Sequence, residues 1–255
     1  MSFSSTYSKL FLVASIGLAI ASCLIPALTE VKDITGNRST YKNEQFSLEN
    51  ISPETLATFR REKRGFRKYT NFMASYSCQQ DAEATPKIFK LKDSYSYLAP
   101  GFNQFDIEFY NNDIPSDSII GINYLGLINI RFQYMDYTRR FARKIMELKV
   151  IGGHPSDLIN AKTDSNYEFS SQYQLESLVL NQSYSFKTKQ VIPASQIFAN
   201  LPGDAIMVET ETKDDGIVSS KDTRYYIFDY GVSIQVSHQT ANYKRICTVQ
   251  SIEIH

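Results

Sequence analysis

The sequence predicts an α+β protein that is β-rich, with a mainly antiparallel C-terminal sheet or small barrel or sandwich and one or two amphipathic helices in its N-terminal half. Three observations lead there. The 255 residues include 17 Tyr and 16 Phe but no Trp, beside only 11 Gly and 8 Pro, and aromatic side chains suit a pleated, half-buried surface. Beyond residue 156, short aromatic and β-branched runs are separated by Gly, Asn, Asp and Ser, the pattern of an antiparallel meander. Between residues 133 and 148 apolar residues recur at helical spacing instead. A composition of 42% hydrophobic and 21% charged residues is that of a folded protein, not of a disordered chain.

Residues 1–28 hold one charged side chain, Lys9, followed by an uncharged and mostly apolar run at residues 10–28. That length suits a cleavable signal or a marginal spanning helix of about 20 residues. Within it, Ile20-Ala21-Ser22-Cys23 places an aliphatic residue three before a cysteine, with two small residues between. This resembles the lipobox of bacterial lipoproteins, whose cysteine thiol is lipidated and becomes the new N-terminus. The resemblance implies a signal peptide at residues 1–22, lipidation of Cys23 and a protein exported to the periplasmic side of the envelope. Ala19-x-Ala21 also fits ordinary signal cleavage and secretion, and an uncleaved run would be an anchor. All three alternatives export the rest of the chain.

Setting Cys23 aside leaves Cys78 and Cys247, a single pair in a compartment where disulfides persist. A bridge between them is expected, with Cα atoms about 4.4–6.8 Å apart; two unrelated buried thiols are the alternative.

Residues 23–51 read as the lipid-anchor Cys and a polar tether, with Gly36, Asn37, Ser39 and Thr40 and no sustained period. An α+β portion follows at residues 52–155. It opens on a short helix, for which Ser52 is a good N-cap, Pro53 fits the first helical position and Gly65 supplies a stop. At residues 101–110 Phe105, Ile107 and Phe109 alternate with Asp106, Glu108 and Tyr110, the period of a strand with one buried face. Asn111-Asn112-Asp113 and Pro115 then mark a turn. Residues 119–132 form one buried strand or two short ones. Tyr134, Tyr137, Phe141, Ile145 and Leu148 fall on one helical stripe, ended by Gly152-Gly153-His154-Pro155. A β-rich portion at residues 156–255 completes the chain, with strands at 167–169, 173–180, 205–212, 224–230, 232–236 and 246–254. Asp214-Asp215-Gly216 is a hairpin turn signal. A change of phase in the last run predicts a bulge near Gln250.

Lys+Arg and Asp+Glu are equal at 27 each, which removes the overall positive field of a nucleic-acid binder. Two local basic sets stand out, and from them Arg60, Arg61, Arg64, Arg139, Arg140 and Arg143 are the candidate anion-binding residues. An anionic lipid or an envelope protein is the partner they would meet, although solvated surfaces give the same pattern. No catalytic residue is assigned. His154, Ser156 and Asp157 stand together in a turn, but the chain has no Gly-x-Ser-x-Gly elbow and no His-Glu-x-x-His. Three Cys are too few for a four-thiolate zinc site, and the acidic residues between Asp204 and Asp222 lack the spacing of a calcium loop. No metal and no cofactor are expected. The sequence points to a non-enzymatic binding or structural protein of the cell envelope, attached to the membrane through its N-terminus, with its ligand unspecified. The alternative is a secreted or periplasmic hydrolase without a recognisable motif. Three polar side chains converging in a deep pocket would favour the hydrolase, and a shallow apolar groove or open sheet edge would favour binding.

Overall fold

The computed structural model describes residues 28–59, 66–81, 86–175 and 178–255. The signal segment, Cys23, Arg60, Arg61 and Arg64 lie outside the described residues. Twelve strands follow one another along the chain: β1 (Phe72–Asp81), β2 (Lys87–Ala99), β3 (Phe102–Asn111), β4 (Ile114–Tyr124), β5 (Ile128–Asp136), β6 (Met146–Gly153), β7 (Asn166–Leu175), β8 (Leu178–Pro193), β9 (Asp204–Asp214), β10 (Ile217–Ile227), β11 (Val232–Gln239) and β12 (Lys244–Ile254). Each pairs with its neighbour in sequence, and β12 returns to pair with β1, closing a barrel. The residue 155/156 division expected from the sequence falls inside this one sheet, between β6 and β7.

The hairpins turn where the sequence supplies residues that accept positive φ. Asn112 and Asp113, at φ 52° and 62°, link β3 to β4, and Asp215 and Gly216, at 46° and 84°, link β9 to β10. Two-residue turns of this hand match the strand twist.

Closure depends on β1 and β12. Their register shifts between Ser75 and Tyr76, whose partners are Ser251 and Val249, so Gln250 is the unmatched residue of a bulge. Above the bulge Cys78 faces Cys247 directly. The two sulfurs are 2.06 Å apart and the Cα atoms 4.1 Å apart. This Cα separation falls just short of the expected range because directly opposed antiparallel residues come within about 4.5 Å.

The stretch read as a polar tether is instead packed on the barrel from residue 31 onward. Helices α1 (Val31–Gly36) and α2 (Arg38–Gln45), a 3-10 turn at Leu48–Asn50 and α3 (Pro53–Phe59) cover the outer face of β3 to β6. Val31, Ile34, Phe46, Ile51 and Phe59 are buried there with Ile120, Ile122 and Met135 of the sheet. Arg38 fastens the segment: its Nε donates to Asp106 Oδ2 at 2.7 Å and its Nη1 to Tyr137 Oη at 2.6 Å. Tyr41 Oη donates to Gln133 Oε1 at 2.7 Å, and Gln104 Nε2 donates to the carbonyls of Lys42 and Phe46 at 3.1 Å. Ser52 caps α3, its Oγ accepting the Thr55 N–H at 3.2 Å.

The helix expected at residues 133–148 is not one. Tyr134 lies in β5, Leu148 in β6, and residues 137–145 between the two strands form a loop. Its helical spacing arises because a strand end, a loop and a new strand happen to place apolar residues three and four apart. The loop takes its partners from far upstream: Val31 N–H donates to Arg140 O at 2.9 Å and Ala142 N–H to Thr29 O at 3.1 Å. Phe141, the centre of the expected stripe, is 39% exposed.

The outer face of β8 to β10 is charged at mid-strand. Lys189 pairs with Glu209 at 3.2 Å and Lys221 with Glu211 at 3.0 Å, which is unlike the apolar band of a membrane-spanning barrel. No helix among the described residues is long and apolar enough to cross a membrane.

The Cys78–Cys247 bond closes a loop with a sequence separation of 169, so its loss should cost about 3–5 kcal/mol in the chain-entropy account. The double Cys→Ser variant should show that loss as a lowered urea midpoint. An unchanged midpoint would mean that the backbone pairing of β1 and β12 holds the seam unaided.

Candidate binding cavity

The closed sheet encloses a lumen of about 660 Å3 to which all twelve strands contribute side chains. Its position follows from strand alternation. On β3 the odd residues Phe105, Ile107 and Phe109 point inward, and Asp106 and Glu108 point outward to Arg38. On β5 Phe132 and Tyr134 point inward, and Arg131 and Gln133 meet the N-terminal helices.

One end is closed. Tyr69 packs edge-on against Phe72 and Tyr230, with ring centroids 6.1 and 6.0 Å away. Above them the β4–β5 turn folds into the barrel. Ser233 Oγ donates to Leu125 O at 2.7 Å and Arg224 Nη1 to Gly126 O at 2.8 Å. Gly126 is required here twice over: its φ is +66°, and an added Cβ would sit 2.4 Å from Ser233 N. The other end opens between the β3–β4, β9–β10 and β11–β12 turns, past Asn111, Ser219 and Tyr243.

The lining is divided. The large apolar side chains, Phe89, Ile107, Phe109, Phe132, Tyr173 and Leu180, come from β2 to β8, where Asp117, Asn123, Asn129 and Gln182 stand among them, whereas β10 to β12 present Asp222, Arg224, Gln235, His238 and Arg245. The polar wall is cross-linked. His238 Nδ1 lies 2.9 Å from Asp222 Oδ1, Gln235 Nε2 donates to the same oxygen at 3.3 Å, and Arg245 Nη2 donates to Gln235 Oε1 at 3.1 Å. Burial pushes the Asp222 carboxyl up, but the His238 hydrogen bond and the charge of Arg224 outweigh it and hold the group below its ordinary value. Arg224 is shifted upward: burial acts against its charge, and Asp222, Tyr95 and Asp93 more than offset that. Burial moves Arg245 the other way, below the ordinary guanidinium value. Its Nε has no hydrogen-bond partner and no carboxylate lies within ion-pair distance of it among the described residues.

Asp93 sits deeper, buried beside Tyr76 and Tyr95. Burial raises its carboxyl to about 6, against the opposing charge of Arg224 and the Tyr76 hydroxyl. One of its oxygens has no hydrogen-bond partner among the described residues.

Asp222, His238 and Ser220 bring the three residue types of a nucleophilic triad to this wall. Their order is wrong for one. Ser220 Oγ lies 3.5 Å from Asp222 Oδ2, so the carboxylate is shared by Ser220 and His238, whereas a triad places the imidazole between the other two. The His154 turn offers no substitute, because His154 is exposed and Ser156 is buried. No three His, Cys, Asp or Glu side chains gather as a metal site among the described residues.

The candidate anion-binding arginines that are described lie outside the lumen. Arg140 Nη2 pairs with Glu30 Oε1 at 2.7 Å, Arg139 Nε with Asp136 Oδ2 at 3.2 Å, and the Arg143 guanidinium lies 4.8 Å from the centre of the Tyr134 ring. Arg224 and Arg245, the guanidinium groups that line the lumen, were not singled out by the sequence. Their one signal is position: each occupies the inward phase of a strand, as Arg224 does with Tyr226.

No protein-family model matches the chain, and no curated protein resembles it in sequence. Among solved structures it is similar to the β-barrel-like protein of the domain of unknown function DUF1849 from Brucella abortus, with 10% identity and a TM-score of 0.44 over 74% of this chain and 99% of that one. It is also similar to the hypothetical lipoprotein YmcC from Escherichia coli, with 6% identity and a TM-score of 0.32 over 84% and 96% of the two chains. Neither likeness is close enough to carry a role across.

The state of Asp93 sets a pH dependence. The folded protein keeps this proton up to about pH 6, whereas an ordinary aspartate at 3.8 has lost it. The native state therefore binds more protons between those values, and its stability falls as pH rises through the window. Asp93→Asn should match the wild type near pH 4 and exceed it by about 2–3 kcal/mol at pH 8, read from urea midpoints. A variant less stable than the wild type at pH 8 would show that attraction to Arg224 outweighs the burial cost.

Proposed function

We propose that the protein is a non-enzymatic binding protein of the bacterial cell envelope, exported and held to the membrane through a lipidated Cys23, whose barrel takes up a small amphiphilic molecule. One observation carries this reading: a lumen of about 660 Å3, closed below and open above, in which large apolar and aromatic side chains from β2 to β8 stand with placed polar groups, most of the charged ones on β10 to β12. Ligand pockets of roughly 300–1,000 Å3 lined mostly by apolar side chains with a few placed polar groups are the usual form of small-molecule sites.

The lumen is deep and holds converging polar groups, features that also suit the hydrolase alternative. That alternative needs a nucleophile against His238, and Ser220 lies on Asp222 instead. Binding is therefore the better-supported function.

Two further observations favour attachment at the membrane. Thr29 and Val31 bond to the β5–β6 loop, which lies at the open end of the barrel, so the N-terminal anchor would lead away from that end. Ile88 and Ile217 stand exposed at 70% and 75% near the open-end starts of β2 and β10, and Ile114 and Ile246 are exposed on β4 and β12. Arg139, Arg140 and Arg143 belong to the same loop and would meet an anionic lipid or an envelope protein there.

Nile red, a neutral apolar dye, should enter the lumen of the purified protein with a blue-shifted emission. Ile119→Trp, which fills the lumen from β4, should weaken its uptake at least tenfold. Failure of the folded protein to take up the dye would remove the binding reading. Mass spectrometry of the mature N-terminus should find a lipid-modified Cys23, and Cys23→Ala should leave the protein unacylated. An unmodified N-terminus on the membrane-associated protein would remove the anchoring claim.

A further inference from the structure

The geometry points to an aliphatic monocarboxylate as the occupant of the lumen, its carboxylate held by Arg245 and its chain lying along the wall formed by Phe109, Phe132 and Tyr173. This rests on the binding reading above and adds the chemical class of the ligand.

Arg245 is 8% exposed. A guanidinium in that position ordinarily has an anionic partner, because an uncompensated buried charge is costly. Among the described residues it has none within ion-pair distance. Its one hydrogen bond goes from Nη2 to a neutral amide, Gln235 Oε1, at 3.1 Å, and Nε is unpartnered. The aromatic rings of Phe109 and Phe89 lie 5.5 and 5.9 Å from its central carbon and shield it from water. Such a fork, held from one side and free on the other, matches the two oxygens of a carboxylate.

The other cations of the lumen do not offer this: Lys87 is exposed to water at the start of β2. Arg224 donates to Gly126 O at 2.8 Å and has Asp222 at 3.9 Å. Nor do the acids offer an amine site. Asp222 is taken up by His238 and Gln235, Asp117 accepts the Tyr134 hydroxyl, and Asp93 is buried beneath Tyr76 and Tyr95 with Arg224 beside it. One under-compensated guanidinium suits one negative charge.

Placement supplies the rest. Arg245 is the second residue of β12, close to the open end. A carboxylate bound there leaves its hydrocarbon to run inward toward Phe132, Tyr173 and Leu180, where each buried methylene adds to the affinity.

The test compares three probes of equal chain length by isothermal titration calorimetry: laurate, 1-dodecanol and dodecylamine. Laurate should bind about ten- to a hundredfold more tightly than dodecanol, the range expected for charge-assisted hydrogen bonds, and dodecylamine should bind least. Arg245→Met should bring laurate down to the affinity of dodecanol, and Arg245→Lys should keep part of the preference. Equal binding of laurate and dodecanol by the wild type, or a preference for dodecylamine, would overturn the carboxylate assignment and leave the binding reading standing. Failure of all three probes and of Nile red would overturn the binding reading itself. If Arg245→Met does not fold, the laurate to dodecanol ratio of the wild type decides alone.

Discussion

Pairing of the first strand with the last is the constraint on which the rest of the molecule depends. Until β12 lies against β1 the sheet has two open edges and no inside, and the inward phases of all twelve strands face solvent. Once closed, every strand has two neighbours, and the edge that invites pairing with other chains is gone. The Cys78–Cys247 bond sits on that seam, so the one covalent link among the described strands falls where closure is decided. The bulge at Gln250 serves the same join by returning Ile252 and Ile254 to the inward phase, opposite Ala74 and Phe72.

Closure also explains how charge is distributed. Polar residues of β10 to β12 face a wall of aromatic rings, and they tolerate burial because they bond to one another: Asp222 to His238 and Gln235, and Gln235 to Arg245. On the outside, β3 and β5 carry a second buried polar group, in which Asp106 and Gln133 receive Arg38 and Tyr41. There burial and the carboxylate of Asp106 act in opposite senses on Arg38, and the carboxylate wins, holding the guanidinium firmly charged. The N-terminal helices are thus attached by directional bonds as well as by Phe46 and Ile34.

Much of the sheet was legible in the sequence where one rule acted alone. The alternation of Phe105, Ile107 and Phe109 marked β3, Asp214-Asp215-Gly216 marked the β9–β10 turn, and the phase change near Gln250 marked the bulge. Strands β1 and β2 escaped. The small residues Ala74, Ser75 and Ser77 dilute the alternation of Phe72, Tyr76 and Cys78, and Asp93 interrupts that of Phe89, Leu91 and Tyr95. In a barrel with a polar lumen the inward phase is not uniformly apolar, so hydrophobic period loses its contrast. The loop around Phe141 misled for another reason: its hydrogen bonds go to Thr29 and Val31, more than a hundred positions away. Arg245 was silent because an inward arginine on a strand looks like an outward one until closure assigns the faces.

The turn of Leu125, Gly126 and Leu127, folded back into the barrel, has a consequence for traffic. With that turn and Tyr69, Phe72 and Tyr230 blocking one end, the interior is a cup and not a conduit. Among the described residues there is no passage from one face to the other, so a molecule held inside would leave by the opening through which it entered. Any partner in such an exchange would have to meet the barrel at that one rim.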